Sequence, residues 1–74
     1  MKSTENIKSI VKIGASVIID SSKSTENIKS IVKVASPNAE VTIKNAGIKS
    51  TEDLKAIAKV ANCKVIFDLT EIDD

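Results

Sequence analysis

Apolar residues recur along this chain in two alternating patterns, one with the period of a helix and one with the period of a strand. Ile7, Ile10, Val11 and Gly14 stand at i, i+3, i+4 and i+7. Ile28, Ile31, Val32 and Ala35 repeat that spacing, and so do Leu54, Ile57, Ala58 and Ala61. Each set predicts a helix with one apolar stripe. Between them lie short β-branched runs, Val17–Ile18–Ile19, Val41–Thr42–Ile43 and Val65–Ile66–Phe67, which read as strands.

The helical segments are copies of one another. Lys2 to Lys12 reads KSTENIKSIVK, and Lys23 to Lys33 reads the same without a substitution. Lys49 to Lys59 reads KSTEDLKAIAK, identical at seven of eleven positions. The strand starts, Val17, Val41 and Val65, are evenly spaced. The helix starts are not, since the step from Ser24 to Ser50 is longer than the step from Ser3 to Ser24. A sheet that keeps its period while helices drift upon it accounts for both observations.

Local chemistry marks the helix ends. Ser3, Ser24 and Ser50 are N-caps, whose hydroxyls can accept from first-turn amides. Glu5, Glu26 and Glu52 favour the positive end of each helix dipole, and Lys12, Lys33 and Lys59 the negative end. Asp53 is expected to complete a capping box with Ser50. Gly14, Pro37 and Asn62 are stop signals, and Asn45–Ala46–Gly47 is a turn with Gly47 expected in the left-handed conformation.

The order is therefore α-β-α-β-α-β in a single α/β domain, with units at about 2–20, 23–44 and 49–68 and a polar tail at 69–74. Strands joined through helices are parallel. Two sheet orders compete: 1-2-3 with all helices on one face, a solenoid, and 2-1-3 with helices on both faces. Near-identical units favour near-identical surroundings, hence the solenoid. The charges agree. In order 1-2-3, the face away from the helices carries the rows Ser16–Glu40–Lys64, Ile18–Thr42–Ile66 and Asp20–Lys44–Asp68. Glu40 then meets Lys64, and Lys44 separates two aspartates. In order 2-1-3, Asp20 would adjoin Asp68, and like charges side by side are unfavourable.

The stretch Val41–Thr42–Ile43, Ala46, Ile48, followed by Leu54, Ile57 and Ala58, resembles a leucine-rich repeat. The even step of the strand starts falls within that family's period, roughly 20–29 residues. The resemblance implies a curved solenoid that binds partners on its strand face. The family's asparagine-ladder position falls on Ser22, Ala46 and Thr70, with Asn45 one place away. Eleven unbroken identities fit a consensus-type or designed repeat equally well. Ile72 follows Ile48 by the same step, so a partial further turn ended by Asp73–Asp74 is expected, as in a piece of a longer array.

Composition narrows the function. With 74 residues, eleven lysines against ten acids and a net charge of +1, the chain is one small domain with no global field. It has no His, Trp, Tyr or Arg and one Phe. It thus lacks a side chain titrating near neutrality, a guanidinium fork for phosphate and surface rings for base stacking. Cys63 is the only cysteine. No base stands by to activate it, and it aligns with Ala15 and Ala39, so it reads as a small core residue. A cytoplasmic protein is expected, with no apolar signal core, no membrane span, no cofactor and no small-molecule substrate.

Two surfaces remain as candidates. The strand face, Ser16, Ile18, Asp20, Glu40, Thr42, Lys44, Lys64, Ile66 and Asp68, exposes two isoleucines and suits self-association or a protein partner; an open sheet edge could serve likewise. The second is a helix-face stripe of Lys8, Lys12, Lys29, Lys33, Lys55 and Lys59, which could hold nucleic acid or another anionic surface. Glu5, Glu26 and Glu52 lie one turn before Lys8, Lys29 and Lys55, so pairing within each helix is expected to neutralise much of that charge. The repeated Ser-Thr-Glu could present amides to phosphate, but capping already accounts for it. A non-enzymatic interaction scaffold is the reading that results.

Overall fold

The computed structural model describes residues 3–70. The turn expected from Ile72 and Asp73–Asp74 lies outside them. The elements are α1 (Thr4–Lys12), β1 (Val17–Asp20), α2 (Thr25–Val34), β2 (Glu40–Lys44), a 3-10 turn (Ala46–Ile48), α3 (Thr51–Val60) and β3 (Lys64–Phe67). The sheet is parallel in order β1-β2-β3. Its register pairs Val17 with Val41 and Val41 with Val65, so the even period of the sequence is the step of the sheet.

Helices and strands stack on their sequence neighbours: α1 packs on α2 and α2 on α3. Strand side chains alternate as pleating demands. Ile19, Val41 and Ile43 are buried under the helices, and Val17, Val65 and Phe67 are half-buried against the same cluster. Ile18 and Ile66 look away from it. The arrangement is the open 1-2-3 sheet with its helices banked on one side.

The core is richest in the middle unit. Ile28, Ile31, Val32 and Ala35 are all inaccessible to solvent. In α1, Ile7 and Val11 are buried but Ile10 and Gly14 are only half-buried. In α3, Ile57 is buried and Leu54 and Ala61 half-buried, while Ala58 is exposed, contrary to the stripe expected there. The differences have a direction. The Ile10/Ile31/Ile57 position faces the preceding helix, and α1 has none among the described residues. The Val11/Val32/Ala58 position faces the following helix, and α3 likewise has none among them.

Each helix begins at its predicted serine. Ser3, Ser24 and Ser50 Oγ accept from the amides of Asn6, Asn27 and Asp53 at 3.2, 3.1 and 3.1 Å. Removing one hydroxyl leaves a first-turn amide without that partner, so Ser50→Ala is expected to lower stability by about 1 kcal/mol, read from denaturant melts. The reciprocal half of the capping box does not form. The Asp53 carboxylate instead accepts from Thr25 Oγ1 of the preceding unit at 3.4 Å.

The longer connection between β2 and α3 also departs from expectation. Its added residues form the 3-10 turn, and the left-handed residue is Asn45 (φ 56°), not Gly47. Asparagine tolerates that conformation better than most residues with a side chain, and here its Nδ2 also donates to Asp20 Oδ2 at 3.1 Å. Ala46 is buried and Ile48 is exposed. Gly14 has φ 102° just past α1, a conformation that favours glycine.

The units are tied by polar bonds as well. Ser36 N–H donates to Val11 O, and Asn62 N–H to Val32 O, each at 2.9 Å. Lys23 Nζ donates to Thr4 Oγ1 at 3.1 Å and Lys49 Nζ to Thr25 Oγ1 at 3.0 Å. The buried Ser21 hydroxyl donates to Asn45 O at 2.6 Å.

Candidate functional site

The face of the sheet away from the helices is left uncovered by every described element. Its central row is Ile18, Thr42 and Ile66, adjacent through the register. Ile18 is 67% exposed and Ile66 37% exposed, with Thr42 half-buried between them. Parallel pairing sets these side chains about one strand spacing, ~4.8 Å, apart. They form a short apolar bar across a polar surface.

The flanking rows take the order expected but only part of the chemistry. Glu40 is registered with Lys64 and Asp20 with Lys44. None of these pairs closes to a salt bridge; the ion pairs among the described residues are within helices. Ser16 is engaged by the fold, its Oγ accepting from Glu40 N–H at 3.0 Å.

Both aspartates serve the loops at their own strand ends. Asp20 Oδ1 accepts from Ser22 N–H at 2.8 Å. Asp68 Oδ1 accepts from Thr70 N–H at 3.0 Å and Thr70 Oγ1 at 2.6 Å. These are turns closed by an aspartate on the backbone two residues on. The signal was present as Asp-x-Ser and Asp-x-Thr after a strand. Both carboxyls are held below the ordinary value of 3.8, Asp20 chiefly by the Ser22 amide and Asp68 chiefly by Thr70, with Lys44 adding to each.

A carboxyl with a depressed folded pKa adds stability above its unfolded pKa and loses it as pH falls through the folded value. The melting temperature is therefore expected to drop below about pH 4. In Asp20→Asn/Asp68→Asn, whose amide oxygens can still accept, the drop should be shallower across the same range. Equal slopes would show that these turns do not set the acid limit.

The lysines of the expected stripe lie on three helices packed in chain order, and two of them are paired. Lys8 meets Glu5 at 3.4 Å and Lys29 meets Glu26 at 3.7 Å. The third expected pair, Glu52 with Lys55, does not form. Side chains of Lys8 and Lys29 are partly buried, at 24% and 31% exposure, whereas Lys55 is exposed on α3. Lys12, Lys33 and Lys59 are exposed.

Cys63 is free and half-buried, its Sγ 3.8 Å from Val32 O. Burial pushes its thiol pKa up, the opposite of what a nucleophile needs. In the Ser-Thr-Glu segments the serines act as caps. No group of acidic, Cys or His side chains suited to a metal occurs among the described residues. No described helix is long and apolar enough to cross a membrane.

Comparison of the chain with protein-family models, with curated proteins and with solved structures gives no match.

Proposed function

We propose that this chain is a non-enzymatic α/β solenoid that presents its open strand face to a protein partner. The observation that carries the reading is the uncovered Ile18–Thr42–Ile66 bar, framed by Glu40, Lys64 and Lys44. Apolar centres ringed by charge are the anatomy of protein-binding patches. The resemblance to leucine-rich repeats points to the same face, and the repeat identity suits either a segment of a longer array or a consensus-type design. The lone thiol of Cys63 fits a reducing compartment such as the cytoplasm.

The occupant the surface suits is a peptide segment with one or two apolar anchors and charges of both signs beside them. Selection of displayed peptides on the folded chain tests this. Winners should lose binding to Ile18→Lys/Ile66→Lys and keep it to Lys33→Ala/Lys59→Ala. Winners indifferent to Ile18 and Ile66 would refute the strand-face reading. Duplex DNA and anionic vesicles, titrated at ~50 mM salt, should not bind, because paired and scattered lysines release few counterions.

A further inference from the structure

The two ends of the stack are unlike each other and complementary. At the first end, Ile7, Ile10, Val17, Ile18 and Ile19, with Asp20 and Lys23, line a largely apolar groove of about 400 Å³ beside the open edge of β1. Ile10 is half-buried there, whereas its repeat equivalents Ile31 and Ile57, each covered by a preceding helix, are fully buried. Residues 2–12 and 23–33 have the same sequence. The surface that α1 shows to solvent is thus chemically the surface that α2 uses to bind α1.

The last end carries the other half of that contact. Ala58 is exposed where Val11 and Val32 are buried. Val65 and Phe67 are half-buried where Val41 and Ile43 are sealed. Thr4 and Thr25 each take a lysine from the following unit, and Thr51, next in the series, receives none among the described residues. The carbonyls of Val11 and Val32 accept from Ser36 and Asn62 of the following unit, whereas the equivalent Ala58 carbonyl accepts from Ala61 of its own unit and from no following unit among the described residues.

From this we infer that a second copy of the chain docks head to tail, its α1–β1 end on the α3–β3 end of the first, continuing the internal unit-to-unit contact. β3 and β1 would join as parallel neighbours, and the Ala58 face of α3 would cover Ile10. Such a contact joins unlike patches, so it does not close on itself and builds linear assemblies. It turns on Ile10 and Ala58 at the ends of the stack rather than on the Ile18–Thr42–Ile66 row, although Ile18 and Asp20 also line the groove.

The test is complementation, read by sedimentation up to ~1 mM protein, where weak contacts populate. Ile10→Lys blocks only the first end, and Ala58→Lys only the last. Wild type should form a concentration-dependent series extending past the dimer. Each variant alone should stay monomeric. Their equimolar mixture should give a 1:1 dimer and nothing larger, since one open face of each kind remains. Circular dichroism confirms folding, and Ile10→Ser and Ala58→Gln stand in for a variant that fails it. A monomeric wild type, a series that stops at a symmetric dimer, or a mixture without complementation would overturn the inference. So would assembly abolished by Thr42→Lys, which alters only the strand face, but untouched by Ile10→Lys.

Discussion

Ile31→Ala should lower stability by about 3 kcal/mol or more, while Ile10→Ala at the equivalent position should cost under ~1 kcal/mol. Ile31 is fully buried on the side of α2 that faces α1. Truncation there removes several apolar contacts and leaves a cavity that its neighbours, β-branched and stiff, cannot easily fill. Ile10 has solvent on one side already, so most of its transfer free energy is not realised in the monomer. Ile57 is as buried as Ile31, so Ile57→Ala should resemble Ile31→Ala.

The consequence is larger than the numbers suggest. A domain of this length is stabilised by roughly 4–10 kcal/mol in total. Ile31→Ala should therefore bring a substantial part of the population near unfolding at modest urea, and Ile10→Ala should barely move the midpoint. Urea melts at micromolar concentration, where end contacts are absent, make the comparison. Equal costs at positions 10, 31 and 57 would mean that stability is not built from neighbour contacts along the stack.

Much of this architecture is legible in the sequence. The even strand step, the 1-2-3 sheet order, the serine caps and the outward row of Ile18, Thr42 and Ile66 all follow from periodicity and charge, because those signals are local or repeat without change. What escapes depends on position within the stack. Ala58 carries an apolar signal but lies exposed on the last helix. Lys55 has its glutamate but no following helix among the described residues, and the pair seen at Lys8 and Lys29 is missing there. A repeat pattern treats equivalent residues as equal, and the three described units do not.

Other departures arise from competition between acceptable local solutions. Asn45 and Gly47 both tolerate positive φ; the 3-10 turn and the Asn45–Asp20 bond select Asn45. Asp53 could reach back to its own cap, but Thr25 is within range across the unit boundary. The charge pattern sets Asp20 and Asp68 beside Lys44 across the sheet. Their own loop amides lie two residues away, and a local bond costs less chain ordering than a long-range ion pair at the surface.

The assignment of faces yields the largest expected contrast. Ile43→Lys should prevent folding, and Ile18→Lys should leave the monomer's stability within ~0.5 kcal/mol of wild type. The two isoleucines sit on adjacent strands one residue apart in register, Ile18 opposite Thr42 and Ile43 opposite Ile19. That single step sets the outcome, because successive strand residues point to opposite faces. Ile43 is fully buried beneath the helices. An ammonium there would lie among aliphatic side chains with no carboxylate beside it, at a cost of several kcal/mol added to the lost packing. That sum matches the whole stability of so small a domain. Ile18 keeps two thirds of its surface in water, so a lysine can extend its charge into solvent. Far-UV circular dichroism of the two variants separates them: a coil spectrum for Ile43→Lys beside a native melt for Ile18→Lys is expected. The reverse pattern would turn the sheet over, and with it the surface proposed to bind.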